Sequence, residues 1–146
     1  MGYYLRFFVT DESPLSLAAL HQGLRESDAS YSLTTSDGHP RSGELKRGGE
    51  VYAQVEIESP PGAEGIAELK EELKGKRGPK RKRVVEGLDG AKAVVVVQAV
   101  SGGRDWDATL DALTPLWRWL FTNRQGILQA DGEGYYDRSG PVLEVG

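Results

Sequence analysis

Four consecutive valines, Val94-Val95-Val96-Val97, constrain this chain more than any other stretch. Side chains alternate between the two faces of a strand, so an unbroken apolar run of this kind belongs in the interior of a sheet. The opening Tyr3-Tyr4-Leu5-Arg6-Phe7-Phe8-Val9 points the same way. Tyr3, Leu5, Phe7 and Val9 share one face, and Tyr4 and Phe8 make the other partly apolar. Val51 to Glu58 alternates instead, with Val51, Ala53, Val55 and Ile57 on one side and Tyr52, Gln54, Glu56 and Glu58 on the other. That is the pattern of a sheet with one wet face.

Helices fall between these strands. Ser13-Pro14 offers a hydroxyl cap and a proline at the first helical position, and Leu17, Leu20 and Leu24 follow as a stripe. A second helix is expected from about Ala63 to Lys74, with Ile66, Leu69 and Leu73 buried and Gly75 as the stop. The longest runs from about Asp105 to Asn123, with Trp106, Leu110, Leu113, Trp117 and Leu120 as its core face and a kink or restart at Pro115. Two hairpins are read, one around Gly48-Gly49 and one pairing Val84–Leu88 with Ala91–Val100 across Asp89-Gly90. A weaker strand, Tyr31–Thr35, ends in a polar loop with Asp37-Gly38. Ile127–Ala130 and Tyr135-Tyr136 pair near the end, and Val142–Val145 adds an edge strand.

From Val51 to Ala130 this order is strand, helix, hairpin, helix, strand. The expected fold is therefore α+β, a ferredoxin-like βαββαβ unit or a related sandwich. Its sheet is largely antiparallel, its helices lie on one face, and a strand–helix unit is added. The length of 146 residues fits one domain, 1–146. No apolar run approaches the roughly 20 residues that span a bilayer, and the first residues, from Met1-Gly2, lack the pattern of a secretory leader. With no cysteine there is no disulfide, thiolate metal site or thiol nucleophile, which is compatible with a cytoplasmic protein.

Charge is distributed unevenly. The segment 74–83 holds Lys74, Lys76, Arg77, Lys80, Arg81, Lys82 and Arg83 and no acid. Removing those seven charges from the net −4 leaves −11 on the rest. Interrupted by Gly78-Pro79, it is expected to be a mobile basic loop, for which contact with a polyanion such as nucleic acid is the alternative function. The plainer reading is a solvated loop whose cations complement the C-terminus of the preceding helix, or contact the protein's own acidic surface. Glu64, Glu68, Glu71 and Glu72 on that helix would repel a phosphate backbone, so nucleic acid is not the favoured partner.

The βαββαβ order resembles that of RNA-recognition motifs, which stack bases on strand aromatics. Val51–Glu58 offers only Tyr52 on its polar face, so base stacking on the sheet is not expected. Val97-Gln98-Ala99-Val100-Ser101-Gly102-Gly103-Arg104 resembles the acylphosphatase signature, a Val-Gln-Gly-Val turn followed by an arginine. That resemblance would make Ser101, Gly102, Gly103 and Arg104 an anion site of a phosphate-handling enzyme. Here Ala99 replaces the turn glycine, the arginine comes one position late, and Asp105 and Asp107 occupy the start of the helix.

Asp131, Glu133 and Asp137, with Glu144 nearby, form a weak candidate for Mg²⁺ or Ca²⁺, though Asp131-Gly132 and Glu133-Gly134 are also ordinary turn residues. His21 and His39 have no motif partner. Trp119, Tyr135 and Tyr136 are candidates for an interface, because aromatics anchor partner contacts. Taken together, these residues favour a binding or regulatory module without catalysis. It would need no cofactor and would contact a protein partner or a second copy of itself through a sheet edge.

Overall fold

The computed structural model describes residues 3–36 and 38–144. Met1, Gly2, Asp37 of the Asp37-Gly38 turn and Val145 of the last expected strand lie outside them. Eight strands, β1 (Tyr3–Val9), β2 (Tyr31–Ser36), β3 (His39–Arg47), β4 (Glu50–Glu58), β5 (Ala93–Ala99), β6 (Gly126–Ala130), β7 (Gly134–Asp137) and β8 (Gly140–Glu144), form one antiparallel sheet. Its order is β2-β3-β4-β5-β1-β6-β7-β8. The helices are α1 (Leu17–Ser27), α2 (Ala63–Glu72), α3 (Pro79–Asp89) and α4 (Trp106–Asn123).

The two apolar-on-both-faces segments are neighbours at the centre, where β1 pairs with β5 from Tyr3↔Ala99 to Val9↔Ala93. Leu5, Phe7, Val9, Val95, Val97 and Ala99 face one core, closed by leucines of α1 and α4. Phe8, Val94 and Ile127 face the other way and meet Leu69 of α2, Leu73 just past its end, and Val84 and Leu88 of α3. Helices therefore cover both faces of the sheet. This overturns the ferredoxin-like expectation, which needs four strands with helices on one face only.

The error lies in one segment. Val84–Leu88 is not a strand but the C-terminal half of α3, so no hairpin connects α2 to β5. Gly78-Pro79 starts this helix: Gly78 takes φ 94°, a backbone region that favours glycine, and Pro79 fills the first helical position. Val84 and Leu88, four residues apart, are buried on one side. Gly90, at φ −87°, donates to Glu86 O at 2.9 Å as the helix ends, whereas a type I′ turn would require positive φ.

Other boundaries shift for identifiable reasons. α1 begins at Leu17, capped by Ser16 Oγ, which accepts from Ala19 N at 3.1 Å. Ser13 and Pro14 stay outside it because Arg124 binds both their carbonyls and Asp11 accepts from Ser13 N at 3.1 Å. In α4 the buried side is Thr109, Ala112, Leu113, Leu116 and Leu120, and the helix runs through Pro115 without a break. Trp106 is 40% exposed, with its ring centroid 6.3 Å from that of Tyr3. Between Leu45 and Lys46 a bulge opposes Tyr52, which is partly buried against the α1–α4 side of the sheet. No helix of the described residues is long and apolar enough to cross a membrane.

Candidate functional site

The basic segment spans two structures. Lys74, Lys76 and Arg77 lie in the connection after α2, Lys80, Arg81 and Lys82 lie in the first turn of α3, and Arg83 begins the second. α3 is charged against its own dipole at both ends. Four cations stand at its positive end, with no acid in the first turn and no side-chain cap, while Glu86 and Asp89 stand at its negative end. The dipole-complementing reading of these cations therefore holds for Lys74 but not for Lys80–Arg83.

Part of this charge is used internally. Lys74 pairs with Glu71 at 3.0 Å. Arg81 Nε donates to Leu73 O at 3.0 Å, a carbonyl at the end of α2 that also accepts from Lys76 N. Arg83 Nη2 lies 2.6 Å from Asp137 Oδ2 in the β7–β8 hairpin. Among the described residues, Lys76, Arg77, Lys80 and Lys82 form no ion pair.

Tertiary structure adds a cation that sequence order hides. Arg138 in the β7–β8 turn donates to Phe121 O near the end of α4 and has no carboxylate partner among the described residues. Two hollows meet at the Arg83–Asp137 pair. One, of about 390 Å³, is lined by Arg83, Thr122, Asn123, Asp137 and Arg138 among others. The second, of about 370 Å³, includes Pro79, Lys80, Arg83, Asp137 and Ser139. The signal missed in the sequence was a lone arginine in a turn, 55 positions beyond Arg83.

The Ser101–Arg104 turn is arranged differently from an anion cradle. Arg104 Nη2 donates to Val51 O at 2.7 Å and Val100 O at 2.9 Å, and its guanidinium lies 3.8 Å from the centre of the Tyr52 ring. Glu50 stands 3.6 Å from Nη1, and Nε is buried with no partner. Asp105 caps α4 by accepting from Asp107 N at 3.1 Å, placing a carboxylate where an anion would bind. Arg104 thus clamps β4 to the end of β5.

The interface candidates are not brought together. Trp119 packs its indole on Gly23 of α1, and a Cβ at Gly23 would overlap the ring. Tyr136 is partly buried on the α1–α4 face. Tyr135 is 1% exposed in the α2–α3 core, with no partner for its hydroxyl. Burial, followed by the nearby Glu72 carboxylate, pushes the Tyr135 phenol well above its usual range.

The carboxylates also diverge. Asp131 accepts from Arg6 and Gln129, each at 2.8 Å, Glu133 accepts from Tyr3 OH, and Asp137 accepts from Ser139 N at 2.7 Å beside Arg83. Burial, then the Glu133 hydrogen bond, raises the Tyr3 phenol above its usual range. Among the described residues no group of three His, Cys, Asp or Glu gathers to hold a metal.

His21 has a structural partner. Its Nδ1 accepts from Leu33 N at 2.9 Å on the edge strand β2. Asp28 O accepts from Tyr31 N at 3.1 Å, and Arg25 donates to Tyr31 O at 3.4 Å. These main-chain groups, which edge pairing with a second copy would need, are occupied by the chain itself. His39 is exposed on β3. A cleft of about 540 Å³ between α2 and α3 is mostly aliphatic, from Pro60, Pro61, Ile66, Ala67 and Leu88, and is crossed by the Lys70–Asp89 pair at 2.8 Å.

Comparison with known protein families, with curated proteins and with solved structures finds no match.

Proposed function

We propose that this chain is a non-catalytic binding module that holds a polyanion on the α2–α3 connection and the first turn of α3. The observation that carries the reading is the reversed charge of α3. Four cations at a helix N-terminus work against the dipole and repel one another, a cost of about 0.3–1 kcal/mol for each exposed charge. An acidic ligand removes that cost and adds the attraction of the four cations that form no ion pair, Lys76, Arg77, Lys80 and Lys82.

Two further features support a polyanion. Arg81 and Arg83 are tied to Leu73 O and Asp137, so the turn presenting Lys80 and Lys82 is anchored on both sides. Of the acids of α2, Glu71 is paired with Lys74, and Glu64 and Glu68 line a separate hollow with Arg6 and Glu58.

The test is fluorescence anisotropy of a labelled, unspecific DNA duplex at low salt. The wild type is expected to bind, and a variant carrying Ser at Lys76, Arg77, Lys80 and Lys82 is expected to lose at least tenfold in affinity. Equal affinity of the two proteins rejects the reading.

A further inference from the structure

Resting on that reading, we infer that the polyanion is the phosphodiester backbone of a nucleic acid and that its footprint crosses from α3 onto the β7–β8 turn, where Arg83 and Arg138 contact phosphates. Three elements are juxtaposed there. Lys80 and Arg83 come from α3, Arg138 from the β7–β8 turn, and Thr122 from the end of α4, and they line two hollows joined at the Arg83–Asp137 pair.

The pairing at the junction leaves Arg83 accessible. The Arg83 side chain is 61% exposed, whereas that of Asp137 is 9% exposed. The sheltered carboxylate holds the guanidinium and leaves the arginine side chain largely exposed. Arg138 is held in a similar way, through one bond to a neutral carbonyl that leaves its charge uncompensated. A guanidinium presents five donors in a planar fork suited to phosphate oxygens, and here two forks are pre-positioned. Side-chain entropy already lost to Asp137 and Phe121 O is not lost again on binding.

The surroundings distinguish phosphate backbone from a protein partner. A protein interface centres on buried apolar and aromatic anchors. The hollow shared by Arg83 and Arg138 is polar, lined by Thr122, Asn123 and Gln125 besides the charged groups, with Phe121 its one aromatic residue. Contacts of this kind fix a backbone in place and read no sequence.

Salt titration tests the inference and separates it from the reading beneath it. For a duplex, each phosphate contact contributes about −0.9 to the slope of log K against log salt. Arg138→Gln, which keeps a donor for Phe121 O while removing the charge, is expected to make that slope shallower by about 0.9. Arg138→Lys, which keeps the charge, should restore most of it. An unchanged slope in Arg138→Gln, with Lys80→Ser and Lys82→Ser still weakening binding, overturns the extended footprint and leaves the α3 site standing. Polyglutamate competing as well as DNA at equal charge concentration overturns the choice of nucleic acid. Wild-type protein that binds neither polymer overturns the underlying reading as well.

Discussion

Arg83 and Asp137, 54 residues apart in sequence, meet at 2.6 Å and join the first turn of α3 to the β7–β8 hairpin at the edge of the sheet. The arginine is the exposed partner and the aspartate the sheltered one. The contact thus converts a basic stretch of sequence into a surface with a fixed orientation. It also explains how a helix with cations at the wrong end is held down: α3 is anchored through Val84 and Leu88 beneath and through Arg81 and Arg83 at its start.

If those cations oppose the dipole, replacing them should stabilise the protein while removing its ligand. Lys80→Glu with Lys82→Glu is expected to add about 0.3–1 kcal/mol per position at low salt. Urea unfolding checks the gain and DNA titration the loss. A double variant less stable than wild type would show that the two lysines make contacts of their own.

Gly23 and Trp119 make a second prediction. The indole occupies the space a Cβ would need, so Gly23→Ala must move α1 or the ring. The expected cost is about 1–3 kcal/mol, read from urea unfolding, with a shift in tryptophan emission. Unchanged stability would mean the α1–α4 contact yields easily.

Asp11 accepts from Arg124 Nε at 3.0 Å and Nη2 at 2.6 Å and from Gln125 N at 2.9 Å. These bonds, led by the Arg124 side chain, hold its carboxyl below the usual range. A depressed folded-state pKa contributes stability that is present above the unfolded value of about 4 and lost as pH falls through the folded one. Asp11→Asn should cost about 3 kcal/mol at pH 7, since the Arg124 side chain is only 8% exposed and loses its counter-charge. Its stability should also fall less than that of the wild type below pH 4. Parallel pH profiles would show that the pair does not govern acid stability.

The buried Tyr135 hydroxyl has no hydrogen-bond partner among the described residues. Tyr135→Phe removes that desolvated group and keeps the ring, so stability should be unchanged or higher by up to about 1 kcal/mol. A clear loss in a thermal melt would reveal a partner for the hydroxyl.

The sheet was legible where patterning was strong. Val94–Val97 and Tyr3–Val9 marked its centre, and Val51–Ile57 marked a strand with one wet face. The two-sided burial in the valine run also held the information that both faces are covered, but α3 was obscured. Its paired valines imitate a strand, and Asp89-Gly90 imitates a hairpin turn. The burial of Val84 and Leu88, spaced for a helix, becomes evident only against Phe8, Val94 and Ile127 across the sheet. For the candidate site, the quantity of charge was plain in the sequence. Its direction relative to the helix, and the arrival of Arg138, depend on packing.

The central claim is that cations without an internal partner bind a polyanion, and the wild-type protein's affinity for an unspecific DNA duplex across salt concentrations tests it most directly. Six contacts, from Lys76, Arg77, Lys80, Lys82, Arg83 and Arg138, at about 0.9 each give an expected slope of about −5.4 in log K against log salt. A slope near zero, or no binding even at the lowest salt, would contradict it.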